Sequence, residues 1–577
     1  MVAPKDESRP AAPRGREAQA FPRLSREQID RAKDFGEQQT LDPGTIVFER
    51  GQQSVDFFIV LSGSVEIYDY DCDGQPNVFT THGDRQFTGE LDLYSERKIL
   101  VSGRTGPDGP SDVLRIPRDR FRELLAAEPD IGDIVTRAFI VRRIGLIESA
   151  LGGAVLFGKA NTADTLRLQR FLRRNGYPFR FVAQTDEHAE RLIEHFEIET
   201  DNLPALVCGV DTVLHNPSNH EAGRCIGLTE TPEDDVVYDL AVVGAGPGGL
   251  AAAVYGASEG LRTVILEGEA PGGQASWSSK IENYLGFPNG LSGQELAGRA
   301  QIQAQKFGAK LALPMNVEGI ACDAADGCDP YRLEVAQHGD VRAHCVVIAT
   351  GASYRKLDLE NFEQYEGSGI FYAATPIEAS LCEGAEVVVV GGGNSAGQAA
   401  VFLSSHANHV HMLVRGKELA DSMSDYLVKR IEASDEITLH TETEIVELEG
   451  EDRELSGLTW LHKDREERVQ KPICHLFLMI GAVPNAEWCT GSLLTDENGF
   501  VCTGLSVVER EEWPLEHRNP GTFETSWPGV FAVGDVRAGS VKRVASAVGE
   551  GSVCIHDVHR VLQARKTGRG AEEVAAT

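Results

Sequence analysis

The sequence predicts a multidomain fold: an N-terminal β-barrel or jelly roll with helices, a small α/β domain, and two larger three-layer α/β domains. Three observations support this organisation. The 577-residue chain exceeds the size of about 250–300 residues at which a single hydrophobic core stops growing. Closely spaced strands with glycine turns occupy the N-terminal part. Two patterns of strand, glycine turn and helix occupy the C-terminal part.

The composition is that of an ordinary globular protein, with 41% hydrophobic and 25% charged residues. The formal charge of -33 argues against nucleic acid as a partner, since binding of the phosphate backbone requires clustered lysine and arginine. No apolar run approaches the roughly 18 residues that span a bilayer, and the N-terminus lacks the apolar core of a signal peptide. We therefore predict a cytoplasmic protein without a membrane span.

The eleven cysteines are scattered, and no two have the spacing Cys-x-x-Cys. This distribution argues against a structural zinc site and against a disulfide scaffold, and we predict no metal centre. In a cytoplasmic protein the thiols are expected to be mostly reduced.

Changes in composition predict the domain boundaries. The barrel is indicated by strands at 45–49, 56–61 and 64–69, followed by helical periodicity over 118–150. The predicted units are a disordered arm (1–23), the barrel domain (24–151), the small α/β domain (152–228), a linker (229–236), a three-layer domain in two parts (237–352 and 480–565), a second three-layer domain inserted into it (353–479), and a tail (566–577).

The first glycine pattern follows an apolar strand at 239–243. Glycines in such a turn let the backbone approach a pyrophosphate, and the helix that follows offers free amides to the anion. A second strand ends in Glu267, where a carboxylate can bind ribose hydroxyls. The residues of this dinucleotide pattern are Gly244, Gly246, Pro247, Gly248, Gly249 and Glu267.

The pattern recurs after a strand at 386–390. The strand that follows it ends in Val414, where the first pattern has its carboxylate, and Arg415 and Lys417 come next. Loss of the carboxylate and gain of cations favour a ribose 2′-phosphate, and hence NADPH over NADH, although two solvated surface cations are the alternative. The predicted NADPH residues are Gly391, Gly393, Asn394, Ser395, Ala396, Arg415 and Lys417. Two nucleotide sites in one Rossmann-like unit imply a flavin and its reductant.

The order of these motifs resembles the low-molecular-weight thioredoxin reductases over residues 237 to 562. Further matches are Gly272-Gly273-Gln274, Glu282-Asn283-Tyr284, Ala349-Thr350-Gly351 and the run from Gly529 to Asp535. The resemblance implies FAD and NADPH as cofactors and a homodimer. It adds these residues to the FAD site: Gly273, Gln274, Asn283, Val317, Thr350, Gly351, Gly534, Asp535, Arg543, Val544 and Ala545.

The sequence departs from this family at the redox-active cysteines. The positions that match the two cysteines are Ala373 and Pro376, so no thiolate can form there and no catalytic side chain is identified. Cys382 is the nearest thiol, and we interpret it as a small buried apolar residue.

The middle domain resembles a thioredoxin or glutaredoxin fold with its cis-proline loop at Leu203-Pro204-Ala205. The turn at 159–164 that would carry the active site contains no cysteine. Cys208 and Cys225 are its only cysteines, and a structural or docking role is favoured over a catalytic one.

The barrel resembles the cyclic-nucleotide-binding domain of catabolite-activator-like regulators. The possible cyclic-nucleotide residues are Gly89, Glu90, Leu91 and Arg97, and the resemblance implies that Glu90 binds the ribose hydroxyl and that Arg97 pairs with the cyclic phosphate. Ile99 and Leu100 stand where the family has small and hydroxyl residues, and these bulky side chains would fill the pocket. A barrel without a ligand, or with a different small effector, is therefore the default.

We predict an FAD-dependent NADPH oxidoreductase that passes electrons to an acceptor that the sequence does not identify, a redox protein or a small molecule such as quinone or oxygen, under regulation by the barrel. Two alternatives stay open. One is a thioredoxin-disulfide reductase that uses other thiols, and the other is a sensor of NADPH or redox state with slow turnover.

Overall fold

A computed structural model describes residues 18–566 of the chain apart from short gaps. The gaps are 54, 71–75, 90, 95–96, 150–152, 160–161, 187–188, 209–211, 278–280, 282–283, 323–329, 367–368, 373, 375, 420–422, 452–453 and 517. Among the described helices, none combines the length and the apolar character needed to cross a membrane.

The N-terminal domain is the predicted barrel, closed by helices. Its elements are α1 (Arg26–Ala32), β1 (Glu37–Leu41), β2 (Ile46–Phe48), β3 (Phe57–Ser62), β4 (Val65–Tyr70), β5 (Pro76–His82), β6 (Ser102–Thr105), β7 (Ser111–Ile116), α2 (Arg118–Ala127) and α3 (Pro129–Ser149). The strands form two antiparallel sheets in the orders β1-β7-β3 and β2-β6-β4-β5. Phe57, Phe87, Phe121 and Phe139 pack as one aromatic cluster that joins α2 and α3 to the sheet.

The prediction of a disordered arm up to residue 23 is wrong for its last six residues. Residues 18–20 are helical, and the guanidinium of Arg142 donates to the carbonyl oxygen of Ala20 over 2.8 Å. The side-chain amide of Gln86 donates to the carbonyl oxygen of Phe21 over 2.9 Å. These tertiary hydrogen bonds fix the last residues of the predicted arm to the barrel domain.

The middle domain has the topology of a thioredoxin fold. Its elements are β8 (Ala154–Gly158), α4 (Ala163–Arg174), β9 (Phe179–Ala183), α5 (Ala189–Phe196), β10 (Ala205–Cys208), β11 (Thr212–His215) and α6 (Asn219–Cys225). The sheet order is β11-β10-β8-β9, with β8 and β9 parallel and β10 antiparallel to its neighbours. The Leu203–Pro204 peptide bond is cis, as predicted. The sequence did not reveal β11.

A disulfide joins Cys208 at the end of β10 to Cys225 at the end of α6, with their Cα atoms 6.0 Å apart. The expectation of reduced thiols is wrong for this pair, because α6 folds back onto the strand and brings together two residues 17 positions apart.

The third unit begins with a mainly parallel sheet. Its elements are β12 (Val237–Val243), α7 (Pro247–Ser258), β13 (Thr263–Leu266), α8 (Gly293–Lys306), β14 (Lys310–Ala312), β15 (Val317–Cys322), β16 (Tyr331–Val335) and β17 (Gly339–Ile348). The order is β14-β13-β12-β17-β16-β15, in which β15 and β16 are antiparallel additions.

An inserted domain follows, and a two-stranded antiparallel ribbon of β18 and β27 connects it to the first sheet. The elements are β18 (Ala352–Tyr354), β19 (Ile370–Phe371), α9 (Pro376–Leu381), β20 (Glu386–Val390), α10 (Asn394–Leu403), β21 (His409–Leu413), α11 (Asp425–Glu432), β22 (Ile437–His440), β23 (Thr443–Glu451), β24 (Glu454–His462), β25 (Glu467–Lys471), β26 (Leu476–Leu478) and β27 (Ala482–Pro484). Its parallel sheet has the order β19-β26-β20-β21-β22, and β23-β24-β25 form a separate antiparallel sheet.

The chain then returns to the first sheet with α12 (Leu505–Val508), β28 (Val530–Ala532) and α13 (Val544–Lys566). Strand β28 pairs in parallel with β17. The carboxyl ends of β12, β13, β17 and β28 therefore meet at one edge of the sheet, the edge at which open α/β sheets bind ligands.

Candidate functional site

The glycine turn between β12 and α7 is the first candidate site. Gly244 has a φ of +101°, and an added Cβ would lie 2.6 Å from the carbonyl oxygen of Ala349. Only glycine adopts this conformation without strain. At Gly249, inside α7, a Cβ would lie 1.9 Å from the carbonyl oxygen of Gly244. The two glycines thus allow the strand and the helix to approach closely.

The amino end of α7 is open to an anion. The helix begins at Pro247, and its N-cap residue, Gly246, provides no side-chain hydrogen bond to the amides of the first turn. Gly248 follows in the same turn and is buried. Amides without a cap, together with the helix dipole, attract negative charge. This donor set fits the pyrophosphate of a dinucleotide.

Glu267 lies beside the same turn, directly after β13. Its Oε2 accepts a hydrogen bond from the amide of Ala245 at 2.7 Å, and its Oε1 accepts one from the amide of Glu269 at 2.9 Å. Burial raises the pKa of the Glu267 carboxyl, while these amides act to lower it. The fold therefore fixes a carboxyl group next to the glycine turn, where the sequence predicts a contact with ribose.

Other residues predicted to contact FAD come from neighbouring loops. The Gln274 side chain donates to the carbonyl oxygen of Ala352. The Thr350 hydroxyl donates to the carbonyl oxygen of Asn485 over 2.6 Å, which ties the end of β17 to the ribbon. Asn283 lies outside the described residues.

Two glycines and one valine are also among the residues predicted for the FAD site. A Cβ at Gly273 would lie 3.1 Å from the Cα of Gly246, so the two glycine turns are in contact. Gly351 has a φ of +71° and accepts a hydrogen bond from the amide of Asn485 at 3.0 Å. Val317 begins β15 and is half-buried.

The last predicted FAD residues lie after β28. The amide of Gly534 donates to Glu550 Oε2 over 2.7 Å. Burial raises the pKa of the Asp535 carboxyl, and the nearby Lys542 ammonium acts in the opposite direction. The remaining residues stand where α13 begins, an end of a helix that favours negative charge; these are Arg543, Val544 and Ala545.

The second glycine turn repeats this geometry in the inserted domain. Gly391 has a φ of +144°, and a Cβ there would lie 2.4 Å from the carbonyl oxygen of Met479. Gly393 is the N-cap of α10 and supplies no side-chain cap, and nothing stands within 4 Å of its Cβ position. The amino end of α10 therefore offers open space and backbone amides without a side-chain cap to a second pyrophosphate.

Side chains around the second turn differ in their exposure. Asn394 Oδ1 accepts a hydrogen bond from the amide of Ser424 at 2.8 Å, Ser395 is exposed, and Ala396 is fully buried. Arg415 and Lys417 follow β21 and are both exposed. Neither cation has an ion pair with another described residue, so both are available to a phosphate group.

The two positions predicted to match the redox cysteines of the resembled family are only partly described. Ala373 lies outside the described residues, and Pro376 begins α9, although its side chain is not described. Cys382 is fully buried, its thiol donates to the carbonyl oxygen of Glu378 over 3.1 Å, and burial raises its pKa to about 12. These contacts agree with the interpretation of Cys382 as a small apolar residue.

Next to these positions lies an aromatic contact that sequence reasoning missed. The rings of Tyr354, in β18, and Tyr372, one residue before Ala373, stack with centroids 4.8 Å apart and an angle of 9° between their planes. The Tyr372 hydroxyl donates to Glu366. No local sequence pattern predicts such a pair, because the two rings come from the ribbon and from the inserted domain.

The structure describes only some of the barrel residues that are predicted to bind a cyclic nucleotide. Gly89 has a φ of +100°, and its carbonyl oxygen accepts a hydrogen bond from Arg142 at 2.7 Å. Glu90 and the side chain of Leu91 lie outside the described residues. Arg97 is buried, with its Nε 3.5 Å from Oε1 of Glu230 in the linker. The predicted phosphate partner thus lies beside a carboxylate of the chain itself.

These features define a class of protein: a dinucleotide-dependent oxidoreductase with two glycine turns in two three-layer domains. The family model described as pyridine nucleotide-disulphide oxidoreductase matches residues 238–551, more than half of the chain. The chain belongs to this family. A second model, the cyclic nucleotide-binding domain, matches residues 38–128. The predicted class of FAD- and NADPH-dependent oxidoreductase with an N-terminal cyclic-nucleotide-binding-like domain is thereby confirmed.

Curated relatives are thioredoxin reductases. The NADPH-dependent thioredoxin reductase 3 of Arabidopsis thaliana is 31% identical over 369 residues, which are 63% of this chain and 64% of that protein. The thioredoxin reductase of Listeria monocytogenes is 28% identical over 345 residues, 59% of this chain and 98% of that protein. A crystal structure of thioredoxin reductase from Streptococcus pyogenes, with 28% identity and a TM-score of 0.48, covers 57% of this chain and 100% of that one.

Proposed function

We propose that the chain transfers electrons from NADPH through FAD to an acceptor other than a dithiol at positions 373 and 376. The observation that carries this proposal is the pair of glycine turns, one in each three-layer domain, with exposed Arg415 and Lys417 after the second. FAD, when bound, supplies the chemistry that accepts a hydride and passes its electrons on.

The residues of the chain hold and orient the two cofactors. The α7 amides and Glu267 would hold the adenosine end of FAD, and the amino end of α13 would stabilise negative charge on the reduced flavin. The amides of α10 would hold NADPH, and Arg415 and Lys417 would select its 2′-phosphate. No side chain has to act as nucleophile or base in the transfer of hydride to the flavin.

The test is anaerobic reduction of the purified protein by NADPH, followed by reoxidation with one acceptor at a time. Bleaching of the flavin absorbance by NADPH and rapid reoxidation by quinone, oxygen or a redox protein other than thioredoxin support the proposal. Rapid reduction of thioredoxin by the wild type would contradict it. The formal charge of -33 disfavours acidic acceptor proteins, because like charges across an interface repel.

A second candidate function is disulfide reduction through the middle domain, favoured by the Cys208–Cys225 disulfide. Reduction of this disulfide takes two electrons and two protons and gives the thiols of Cys208 and Cys225, and FAD, when bound, would supply the electrons. The middle domain contacts the flavin domain, since Asn175 donates to the carbonyl oxygen of Glu269 over 2.9 Å. Cys225→Ser should abolish thioredoxin-linked turnover if this route operates and leave flavin reduction by NADPH unchanged.

For the barrel we propose regulation by a cyclic nucleotide or another small effector. Its support is the family match over residues 38–128. Calorimetric titration with cyclic AMP and cyclic GMP tests binding, and turnover with and without the nucleotide tests regulation. Negligible turnover with every acceptor, together with a change of shape on nucleotide binding, would favour a sensor instead. A cytoplasmic homodimer completes the proposal, and its mass in solution is measurable by light scattering.

A further inference from the structure

A buried ion pair joins the barrel to the linker. The side chains of Arg97 and Glu230 are only 9% and 4% exposed, and Arg97 Nε lies 3.5 Å from Glu230 Oε1. A second contact lies beside it, where the amide of Lys98 donates to the carbonyl oxygen of Gly227 over 3.2 Å. The segment of the barrel around residue 97 is therefore fixed to the linker by both charge and backbone.

The same linker residue is also joined to the flavin domain. The amide of Glu230 donates to the carbonyl oxygen of Leu313 over 3.2 Å, and the amide of Leu313 donates back to Glu230 over 3.1 Å. This antiparallel bridge extends the sheet just beyond β14. One residue thus binds the barrel with its side chain and the flavin domain with its backbone.

In the sequence, Leu313 lies between Ala312 and Met315, whose backbones are hydrogen-bonded to the backbone of Glu267. The amide of Glu267 donates to the carbonyl oxygen of Ala312 over 3.0 Å, and the amide of Met315 donates to the carbonyl oxygen of Glu267 over 2.7 Å. The Glu267 carboxyl group in turn accepts from the glycine turn. A continuous chain of contacts therefore leads from Arg97 to the predicted ribose carboxylate.

We propose that Arg97 and Glu230 are positioning residues that set the place of Glu267 and so couple the barrel to the FAD site. This inference rests on the proposed function, since it takes the first glycine turn as the FAD site. Removing one charge of this buried pair deletes the 3.5 Å contact between the barrel and the linker, and the two segments can then shift relative to each other. A shift of Glu230 displaces Leu313 and loosens both hydrogen bonds of the Glu267 backbone.

The coupling is reciprocal. A ligand that moves the barrel segment at Arg97 changes the affinity for FAD, and FAD changes the affinity of the barrel for that ligand by the same factor. The barrel is thereby linked to the adenosine end of the FAD site, whereas NADPH is expected to bind in the inserted domain. Its effect should appear in the retention of FAD and leave the recognition of NADPH unchanged.

The test measures the dissociation constant of FAD for the full-length apoprotein by flavin fluorescence. Glu230→Gln and Arg97→Gln should each weaken FAD binding by about tenfold or more, since each deletes the buried ion pair that fixes the linker. Arg97→Lys, which keeps the charge, should recover much of the affinity. The double variant, which removes both charges, should lose less than the sum of the two single losses. The KM for NADPH of the FAD-loaded variants should stay within about twofold of the wild type.

Glu233→Gln is the matched control, because Glu233 is an exposed glutamate of the same linker. It should leave the FAD affinity unchanged. A pair that only stabilised the fold would lower the thermal midpoint without changing the FAD affinity of the folded variants, and that result would overturn the inference. If Glu230→Gln does not fold, Arg97→Lys and the double variant decide. A wild type that binds no FAD would overturn the proposed function itself.

Discussion

Replacing Arg415 and Lys417 with alanine removes two exposed cations that follow β21 and have no ion pair with another described residue. Two unit charges about 4 Å apart interact by about 1 kcal/mol in water and about 4 kcal/mol at an effective dielectric constant near 20. Because both side chains are exposed, the lower part of this range applies, about 1–1.5 kcal/mol for each cation. The two together should stabilise bound NADPH by about 2–3 kcal/mol, which corresponds to roughly 30- to 150-fold in affinity.

The assay is stopped-flow reduction of the flavin by NADPH and by NADH under anaerobic conditions. The double variant should raise the apparent dissociation constant of NADPH by that factor and change that of NADH by less than about twofold, because NADH lacks the 2′-phosphate. Raising the ionic strength should weaken NADPH binding in the wild type and have little effect in the variant. Lys429→Ala with Arg430→Ala, two exposed cations of α11, is the control. Equal losses for both nucleotides would refute the assignment of the 2′-phosphate site.

Three further predictions concern the fold and the FAD site. Gly244→Ala should give purified protein with little bound flavin, since its Cβ would meet a carbonyl oxygen at 2.6 Å and its φ is +101°; the ratio of flavin to protein checks this. Cys208→Ser with Cys225→Ser should destabilise the middle domain by about 3 kcal/mol in urea, as expected for a loop of this length, and make its stability insensitive to dithiothreitol. Burial and the neighbouring His411 and His462 lower the pKa of His440 to about 4. The unfolded chain then binds a proton at this histidine more tightly than the folded chain does, so the free energy of unfolding falls as the pH drops from about 6.5 to 4. The expected loss is about 1–2 kcal/mol once the partial exposure of His440 is allowed for. Thermal midpoints measured across this pH range check it.

The sequence revealed those parts of the site that depend on local geometry. Gly244 and Glu267 could be predicted because a tight turn and the strand after it have a fixed spacing, and the structure places the carboxyl of Glu267 on the amide of Ala245. The same holds for Gly391 in the second turn. These residues are read from short segments because their role is fixed within some thirty residues of a βαβ unit.

What the sequence could not reveal depends on contacts between distant segments. Strand β11 has only four residues, and its identity comes from pairing with β10. The pairing of Cys208 with Cys225 requires the return of α6, and the ion pair of Arg97 with Glu230 requires the barrel and the linker to meet. In each case the deciding neighbour is brought close by tertiary packing, on which local propensity carries no information.

The two ends of the electron path differ for the same reason. Electrons are predicted to enter through nucleotides bound at the turns after β12 and β20. Such turns need glycines at fixed positions, and the first also has a carboxylate at a fixed spacing, so the sequence alone predicts them. The route by which electrons leave the flavin depends on which side chains the folded chain brings next to it. Next to Ala373, Tyr354 and Tyr372 stack across the boundary between the ribbon and the inserted domain, with ring centroids 4.8 Å apart. Because Tyr372 immediately precedes Ala373, an aromatic contact between the ribbon and the inserted domain flanks a position that the sequence predicts to match a family cysteine. Electron transfer to an external acceptor therefore has to be tested at this contact, and Tyr372→Ala, which removes the stack and keeps both nucleotide turns, should change reoxidation rates without changing flavin reduction by NADPH.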